Sequence, residues 1–216
     1  MQFFKGSKVA IKRNLSLILA SASPRRQELL KSAGVALRVF PSNADERFRR
    51  GERPEEHVRR LAREKAREVA KQFPGRWVLA ADTVVVIDGR VLGKPKDPKQ
   101  AGRMLRLLSG RPHRVVTGYC LLQAAGGKAK EGHAVTRVYF KVLTAAEIRW
   151  YLSTGEPFDK AGAYAIQGQG AFMVKKIAGS YTNVVGLPLC EVLEAFREIG
   201  ATEIFTAEHA EGAERL

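Results

Sequence analysis

Two arginines at the start of a predicted helix are the first residues whose placement points to chemistry. Residues 15–30 read as an apolar strand, a serine-rich turn and a helix with Arg25 and Arg26 in its first turn. A helix N-terminus carries roughly +0.5 of a charge, so each arginine there gives up about 0.3–1 kcal/mol relative to an acidic residue. Backbone N–H groups, the Ser21 and Ser23 hydroxyls and two guanidiniums together predict a phosphate or carboxylate receptor. The alternative is a pair of solvated surface arginines.

A carboxylate inside an apolar run is the second such feature. Residues 77–87 form a near-continuous apolar run, typical of a strand buried on both faces, and Asp82 interrupts it. An ionised carboxylate in apolar surroundings needs an ion-pair partner, a metal or a place at a cleft. Asp82 is therefore either half of a structural ion pair or a site residue. Asp88-Gly89 predicts a hairpin that returns Lys94 as a candidate partner in both cases.

A lysine falls on the apolar stripe of the helix predicted over 54–73. Apolar residues recur from Val58 at i+3, i+4, i+8 and i+11, and Lys65 lies on the same stripe. Such a lysine commonly extends its ammonium to the edge of the core, but it can also point into a cleft and meet an anion. The arginines at 25 and 26 favour the second interpretation.

These residue types permit metal-assisted phosphate chemistry. The cations that could surround a polyphosphate are Arg25, Arg26, Lys65 and Lys94. Asp82 with either Glu46 or Asp45 could hold Mg²⁺ or Mn²⁺, which carboxylates and phosphate oxygens share. The chain has no P-loop, complete GxGxxG, HExxH or GxSxG motif, and its scattered histidines receive no role. The residues by themselves indicate a metal-assisted polyphosphate hydrolase.

The composition predicts a single globular domain without a membrane span. The 216 residues are 45% hydrophobic, enough for one core or for a core divided by a cleft. We expect an N-terminal extension over 1–14, one catalytic α/β domain over 15–205 and a polar tail over 206–216. No apolar run approaches the roughly 20 residues that span a bilayer, and the basic start lacks a signal core. Cys120 and Cys190 lack CxxC spacing, so a reduced, cytoplasmic setting is expected.

The chain is strongly basic. Lysine and arginine number 37 against 22 acidic residues, which gives a formal net charge of +15. This excess favours polyanionic partners, either nucleotides or nucleic acid. The basic residues are densest over 47–71, where Glu55–Arg59 and Glu56–Arg60 have the order of helical i,i+4 ion pairs. That interleaving is typical of a solvated helix face.

Periodicity, turn and capping signals predict alternating strands and helices. Extended segments are predicted over 15–20, 36–41, 77–87, 113–123, 133–142 and 171–177. Helices are predicted over 24–33, 54–73, 97–110, 144–153 and 188–199, with Ser23, Asp97 and Thr144 as N-caps. The stretch 155–186 is glycine-rich and irregular, as in loops that approach a ligand or plain surface loops.

An ordered set of short motifs resembles one known family. The first are Leu19-Ala-Ser-Ala-Ser-Pro-Arg-Arg26, Arg63-Glu-Lys-Ala66, Ala81-Asp-Thr83, Gly93-Lys-Pro-Lys-Asp97, Leu108-Ser-Gly110 with His113, and Thr117-Gly118. The later ones are Asp159-Lys-Ala-Gly-Ala-Tyr164, Ile166-Gln-Gly168, Gly179-Ser-Tyr181 and Val185-Gly-Leu-Pro188. In order and spacing they are similar to those of the Maf family of nucleotide pyrophosphatases. The similarity covers most of the chain, and Ala22, where glycine is common, is a small departure.

The resemblance implies a fold and an activity. The fold is α/β, an elongated mixed sheet flanked by helices with a deep central cleft, similar to the inosine triphosphate pyrophosphatases. The activity is hydrolysis of nucleoside triphosphates between the α- and β-phosphates with a divalent cation, Mg²⁺ or Mn²⁺. The Asp-Thr and Ile-Gln-Gly motifs resemble the branch that acts on dTTP and UTP, not the 7-methyl-GTP branch. The implied partner is the nucleotide, without a stable nucleic-acid complex or a membrane, and a homodimer is compatible with the family.

The resemblance also implies residue roles. Asp82 matches the proton acceptor of the family. The positions linked to substrate choice are Arg25, Thr83 and Gln167. The polar positions that line the cleft are Ser21, Arg26, Lys65 and Lys94. We hypothesise that the cations bind the triphosphate and that Asp82 and Glu46 share the metal.

Two other classes of function compete with this interpretation. One is a nucleic-acid-binding or cell-division regulatory protein whose basic surface is the working part, although its cations form no stripe and no aromatic motif interleaves them. The other is an inactive relative that serves as a scaffold. Salt-sensitive DNA binding without nucleotide turnover would favour the first, and absence of both activities the second.

Overall fold

The computed structural model describes residues 17–201, so the extension predicted over 1–14 and the tail predicted over 206–216 lie outside the described residues. The strands are β1 (Leu17–Leu19), β2 (Leu37–Val39), β3 (Val78–Ile87), β4 (Arg90–Leu92), β5 (Pro112–Gln123), β6 (Lys128–Phe140) and β7 (Val174–Ala178). The helices are α1 (Pro24–Ser32), α2 (Pro54–Ala70), α3 (Pro98–Leu108), α4 (Ala145–Ser153), α5 (Tyr181–Val185) and α6 (Leu189–Glu198). Within 17–201, none of the helices has the length and apolarity needed to cross a bilayer.

One mixed sheet of seven strands organises the described part of the chain. Its order is β2-β1-β3-β5-β6-β7, and β4 pairs with β3. β1 runs parallel to β2 and β3 because α1 and α2 carry the chain back between them, whereas β3, β5, β6 and β7 pair antiparallel. The predicted mixed sheet flanked by helices is confirmed.

A gap in the sheet lies along one edge of β3. β1 pairs with β3 only as far as Leu79, and β4 pairs with it only from Val85 onward. Among the described residues, 80–84 therefore have no strand partner on this edge. Asp82 and Thr83 lie within the gap, and because successive side chains of a strand alternate, they point to opposite faces of the sheet.

The two faces of the sheet are covered differently. On one face α2 packs continuously against β3 and β5, and it lies so close that a Cβ at Gly118 would overlap the backbone of Val58. On the other face one cluster surrounds Leu79 with α6, and a second surrounds Val85 with α3 and α4. Thr83 lies between these two clusters, so the core of that face is divided at the gap.

Several predicted boundaries change. Ser23 occupies the N-cap position of α1 but makes no capping bond with its side chain, whereas Asp97 and Thr144 cap α3 and α4 as predicted. α2 ends at Ala70 instead of residue 73, and the strand predicted over 171–177 is a 3₁₀ turn, Gly168–Met173, followed by β7. β6 begins five residues earlier than predicted, and α5 was not predicted.

The helical ion pairs predicted within α2 are wrong. Glu55 binds Arg114 of β5 instead of the Arg59 guanidinium, at 2.8 Å, and Glu56 binds Arg53 at the helix start, at 2.6 Å. Arg60 is buried and binds Glu52 and Glu64. Glu55 and Arg60 take partners outside α2 because the helix packs against the sheet on one side and against the preceding loop on another. The local pairs that form, Arg53–Glu56 and Arg60–Glu64, have a different register from the predicted ones.

Candidate active site

A cleft of about 680 Å³ opens at the gap in the sheet. It collects the side chains that the sequence singled out for binding or catalysis, with the exception of Asp45. These are Ser21, Ser23, Arg25, Arg26, Glu46, Lys65, Asp82, Thr83, Lys94 and Gln167. They come from the turn between β1 and α1, the start of α1, the loop before α2, α2 itself, β3, the segment after β4 and the loop before β7. The residues at 21–26 that the sequence predicts to bind an anion therefore share one cavity with the carboxylate of Asp82.

Lys65 joins two carboxylates on the α2 side of the cleft. Its Nζ lies 2.7 Å from Asp82 Oδ1 and 2.6 Å from Glu46 Oε1. Lys65 and Asp82 are buried, so the lysine points into the cleft and does not extend its ammonium to bulk solvent. Burial alone would raise the pKa of the Glu46 carboxyl, but the hydrogen bond and charge of Lys65, with the charges of Lys94 and Arg26, hold that pKa below its ordinary value.

The structure separates the two candidate acids of the preceding loop. Glu46 lines the cleft, whereas the Asp45 carboxylate accepts hydrogen bonds from Arg47 outside it, with Nε–Oδ2 at 2.8 Å. Both Asp45 and Arg47 are exposed. Of these neighbours, Glu46 is therefore the one that can act with Asp82.

Arg26 is held by three acceptors on the other side of the cleft. Its Nε donates to the carbonyl of Gly186 at 2.7 Å, its Nη1 to Ser21 Oγ at 3.0 Å and its Nη2 to Thr83 Oγ1 at 3.1 Å. Burial lowers the pKa of the guanidinium, while the nearby Asp82 carboxylate opposes this. A guanidinium has five N–H donors, so two remain for a ligand.

Arg25 stands at the cleft mouth with an acid that the sequence motifs contain but to which no role was assigned. Its Nη1 lies 3.9 Å from Asp159 Oδ2, and Asp159 also binds Lys160 at 2.5 Å. Lys160 Nζ donates to the carbonyl of Glu156 at 2.7 Å. Asp159 and Lys160 line the cleft, and only the folding of the glycine-rich stretch brings them opposite α1.

The loop that carries Glu46 is clamped onto α2. Arg60 forms a forked pair with Glu52, with Nε–Oε1 at 2.5 Å and Nη2–Oε2 at 2.8 Å, and it also binds Glu64. The Arg60 hydrogen bonds are the main reason that the pKa of Glu52 is lowered to about 2. Glu68 accepts one hydrogen bond from the Ser42 hydroxyl and others from the backbone N–H of Asn43, at the start of the loop. These bonds fix a loop without regular structure on α2 and thereby hold Glu46 in place.

The α2 residues that hold this loop can be recognised from the helical periodicity of the sequence. Polar residues recur on α2 at 57, 60, 64 and 68, one helical turn apart, beside the apolar stripe. His57, the first of them, stacks on Phe48 with ring centroids 3.3 Å apart and planes 9° apart, and both rings line the cleft. His57 was assigned no role from the sequence.

The cleft is net positive. Its cationic side chains are Arg25, Arg26, Lys65, Lys94 and Lys160, against the acids Glu46, Asp82 and Asp159. Five positive groups against three negative ones suit a ligand with several negative charges. No cluster of three or more histidine, cysteine or acidic side chains that could hold a metal occurs among residues 17–201. A cation here would have two carboxylates and would need further oxygens from its ligand.

Comparison with known proteins agrees with the motifs. A family model described as "Maf-like protein" matches residues 16–199. A dTTP/UTP pyrophosphatase of Geotalea uraniireducens (strain Rf4) is 56% identical over 188 residues, 87% of this chain and 97% of that protein. Proteins of the same name from Geobacter sp. (strain M21) and Syntrophus aciditrophicus (strain SB) are 57% and 52% identical over 88% and 91% of this chain, and 98% and 96% of their own length.

One solved structure, of a HAM1 protein from Coxiella burnetii, aligns with a TM-score of 0.41 and 19% sequence identity. The alignment covers 58% of this chain and 73% of that one. The family match over 16–199 and relatives more than half identical along nearly their whole length show that this chain belongs to the Maf family.

Proposed function

We propose that the chain is a nucleoside triphosphate pyrophosphatase that hydrolyses dTTP and UTP to the monophosphate and pyrophosphate. The observation that carries the proposal is the arrangement of the cleft, in which two arginines, Arg26 held by three acceptors, and two lysines lie around a buried carboxylate at a gap in the sheet. Three relatives at 52–57% identity are named for this activity. A triphosphate matches the positive charge of the cavity.

The triphosphate is bound by donors that the fold leaves free. Ser21 Oγ accepts hydrogen bonds from Arg26 Nη1 and from the Ser23 backbone N–H, at 3.0 and 3.3 Å, so its own proton is available to a phosphate oxygen. Arg26 contributes its two unused N–H donors. Arg25 and Lys94 add charge at the mouth and wall of the cleft. Thr83 and Gln167 lie where they can select the nucleotide.

Asp82 activates the attacking water. Its Oδ1 accepts the hydrogen bond of Lys65, which leaves the second carboxylate oxygen to take the proton. The water oxygen forms a bond to a phosphorus of the α–β anhydride, and the bond from that phosphorus to the bridging oxygen breaks. The electron pair of the broken bond stays on the bridging oxygen. That oxygen leaves with pyrophosphate when the α-phosphorus is attacked and with the monophosphate when the β-phosphorus is attacked, and the cations neutralise its charge.

Asp82 and Glu46 would hold a divalent cation, Mg²⁺ or Mn²⁺. Lys65 Nζ lies within 2.7 Å of one oxygen of each carboxylate, so the two groups flank the same ammonium and each has a second oxygen that Lys65 does not bind. One or two carboxylates completed by phosphate oxygens and waters is the usual donor set of Mg²⁺ in nucleotide sites, so the residues fit the ion. When bound, the ion supplies charge stabilisation at the phosphates.

The state of the two cysteines bears on the compartment in which the enzyme works. Cys120 is buried with its pKa raised to about 12 mainly by burial, Cys190 is exposed, and neither forms a disulfide. Free thiols suit the reducing cytoplasm in which we place the enzyme. A homodimer remains a prediction.

The test is pyrophosphate release from a panel of pyrimidine and purine triphosphates, each with Mg²⁺ and with Mn²⁺. We expect dTTP and UTP to lead, with no turnover after chelation of the metal. A profile led by purines would remove the proposed specificity. Salt-sensitive DNA binding without turnover would favour the nucleic-acid-binding class instead.

A further inference from the structure

Buried hydroxyl and amide groups on β3, β5, β6 and α5 form a hydrogen-bond network that ends at Arg26. Thr117 of β5 and Asn183 of α5 are fully buried, and neither belongs to the cleft lining. Thr83 Oγ1 lies 2.9 Å from Thr117 Oγ1, and Thr117 Oγ1 lies 3.1 Å from the carbonyl oxygen of Asn183. Asn183 Nδ2 donates in turn to Thr136 Oγ1 at 2.9 Å and to the carbonyl of Val115 at 3.2 Å.

One set of donor directions gives every hydroxyl in this network a partner. A carbonyl oxygen can only accept, so in that set the hydroxyl proton of Thr117 goes to the backbone carbonyl of Asn183. Thr117 Oγ1 then accepts from Thr83, which donates its only proton to it. Thr83 Oγ1 is therefore a pure acceptor toward the cleft, and it accepts the Nη2–H of Arg26. Thr117 thus decides which way the Thr83 hydroxyl points.

The alternative partner of Thr83 shows why that direction matters. Thr83 Oγ1 also lies 3.4 Å from the Gly186 carbonyl oxygen, which accepts the Nε–H of Arg26 at 2.7 Å. Without an acceptor at Thr117, the Thr83 proton would turn to this carbonyl. The carbonyl has two lone pairs and can accept both donors, but the Thr83 proton would then lie between the two oxygens that accept from Arg26 and would face its N–H groups. The guanidinium would lose the orientation that directs its remaining donors into the cavity.

We propose that Thr117, which touches no ligand, is a positioning residue that sets the orientation of Arg26 and thereby the affinity of the cleft for phosphate groups. The inference rests on the proposed function for the identity of the anion. It extends that function to a strand behind the site and to α5, whose Asn183 and following Gly186 each supply one carbonyl acceptor to the network. Affinity for a triphosphate group therefore depends on a residue that the substrate cannot reach.

The experiment compares Thr117→Val, which keeps the shape and removes the hydroxyl, with Thr117→Ser, which keeps the hydroxyl. The probe is inorganic triphosphate, whose Kd is measured by calorimetry, alongside kcat and KM for dTTP. We expect Thr117→Val to raise the Kd and KM about tenfold, the usual scale of one lost charge-assisted hydrogen bond, with a smaller effect on kcat. Thr117→Ser should stay within about twofold of the parent, since the same donor and acceptor remain.

A double-mutant cycle separates positioning from mere stability. In an Arg26→Lys background, which lacks the Nη2 donor, we expect Thr117→Val to cost nothing further in Kd. The control is Ser109→Ala, which removes a hydroxyl outside the cleft that accepts a hydrogen bond from the Leu143 backbone N–H at 2.7 Å. This variant should lower Tm without changing the Kd. Thr117→Ala replaces the valine variant if the latter does not fold.

Two results would overturn the proposal. One is a Kd for triphosphate that Thr117→Val leaves unchanged while Tm falls, and the other is an equal loss in the parental and Arg26→Lys backgrounds. A parent that binds triphosphate but releases no pyrophosphate from any nucleotide would instead refute the proposed function and leave the positioning role standing.

Discussion

The two sides of the cleft differ in the interactions that hold their side chains, although adjacent residues of β3 contribute to both. Asp82 faces α2, where Lys65, Glu46, Glu52 and Arg60 form charged pairs. Thr83 faces α1 and α5, where one guanidinium is held mainly by neutral hydroxyls and a carbonyl. We call the side of Asp82 the α2 wall and the side of Thr83 the α1 wall. If the proposed function holds, we expect proton transfer and pH dependence to belong to the α2 wall, and orientation of the anion, nearly independent of pH, to the α1 wall. The predictions below test this difference.

The largest expected effect is the loss of the base on the α2 wall. Asp82→Asn should lower kcat by about 10³-fold, within the usual contribution of a general base, while the Kd for inorganic triphosphate stays close to that of the parent or improves. Pyrophosphate release at saturating dTTP gives kcat, and calorimetry gives the Kd. Turnover at the parental rate would remove Asp82 from the mechanism.

The next effect concerns stability and pH. Glu52 has its pKa lowered from 4.5 to about 2, chiefly by Arg60, so its ion pair stabilises the folded state fully above about pH 4.5. This stabilisation is lost as pH falls through the folded pKa near 2. Glu52→Gln should therefore lower the free energy of unfolding by up to about 3 kcal/mol at pH 7.

The difference in stability between the parent and Glu52→Gln should shrink steadily below pH 4.5, as measured by denaturant titration at each pH. A Thr83→Val protein, altered on the other wall, provides the comparison, because its difference from the parent should not change over the same range. A Glu52→Gln difference that is independent of pH would contradict the charged character of the α2 wall.

A smaller effect is expected from a change of Arg26 on the α1 wall. Arg26→Lys keeps the charge but cannot reach Gly186, Ser21 and Thr83 at once, so we expect KM for dTTP to rise about 30-fold with a lesser change in kcat. Steady-state kinetics at pH 6 and pH 9 would show the same ratio of KM values. A loss confined to kcat would mean that both walls act on the chemical step.

The smallest effect lies at the mouth of the cleft. Asp159 pairs with Arg25 at 3.9 Å and its side chain is 66% exposed, so the pair contributes little stability. Asp159→Asn should release Arg25 for the substrate and lower KM about twofold at low salt, an effect that salt should abolish. A KM that rises would show that Asp159 orders the glycine-rich stretch instead.

Sequence reasoning was most successful where one strong local signal dominated. The strand around Asp82, the helix around Lys65 and the arginines after Ser23 were each recognised from neighbours within one or two turns. It failed where tertiary partners competed with local ones. The sequence predicts Arg60 on a solvated helix face, but it is buried against Glu52. Residues 171–173, predicted as the start of a strand, belong to the 3₁₀ turn Gly168–Met173.

The sequence by itself determined the family, the alternation of strands and helices, and the set of side chains that the cleft contains, because these depend on residue types, order and short-range periodicity. Only the tertiary structure decided the gap along β3, the choice of Glu46 over Asp45, and the acceptors that hold Arg26. The physical reason is distance along the chain. The carbonyl of Gly186 lies 160 residues from Arg26, and the two meet only because the sheet and α5 bring them together.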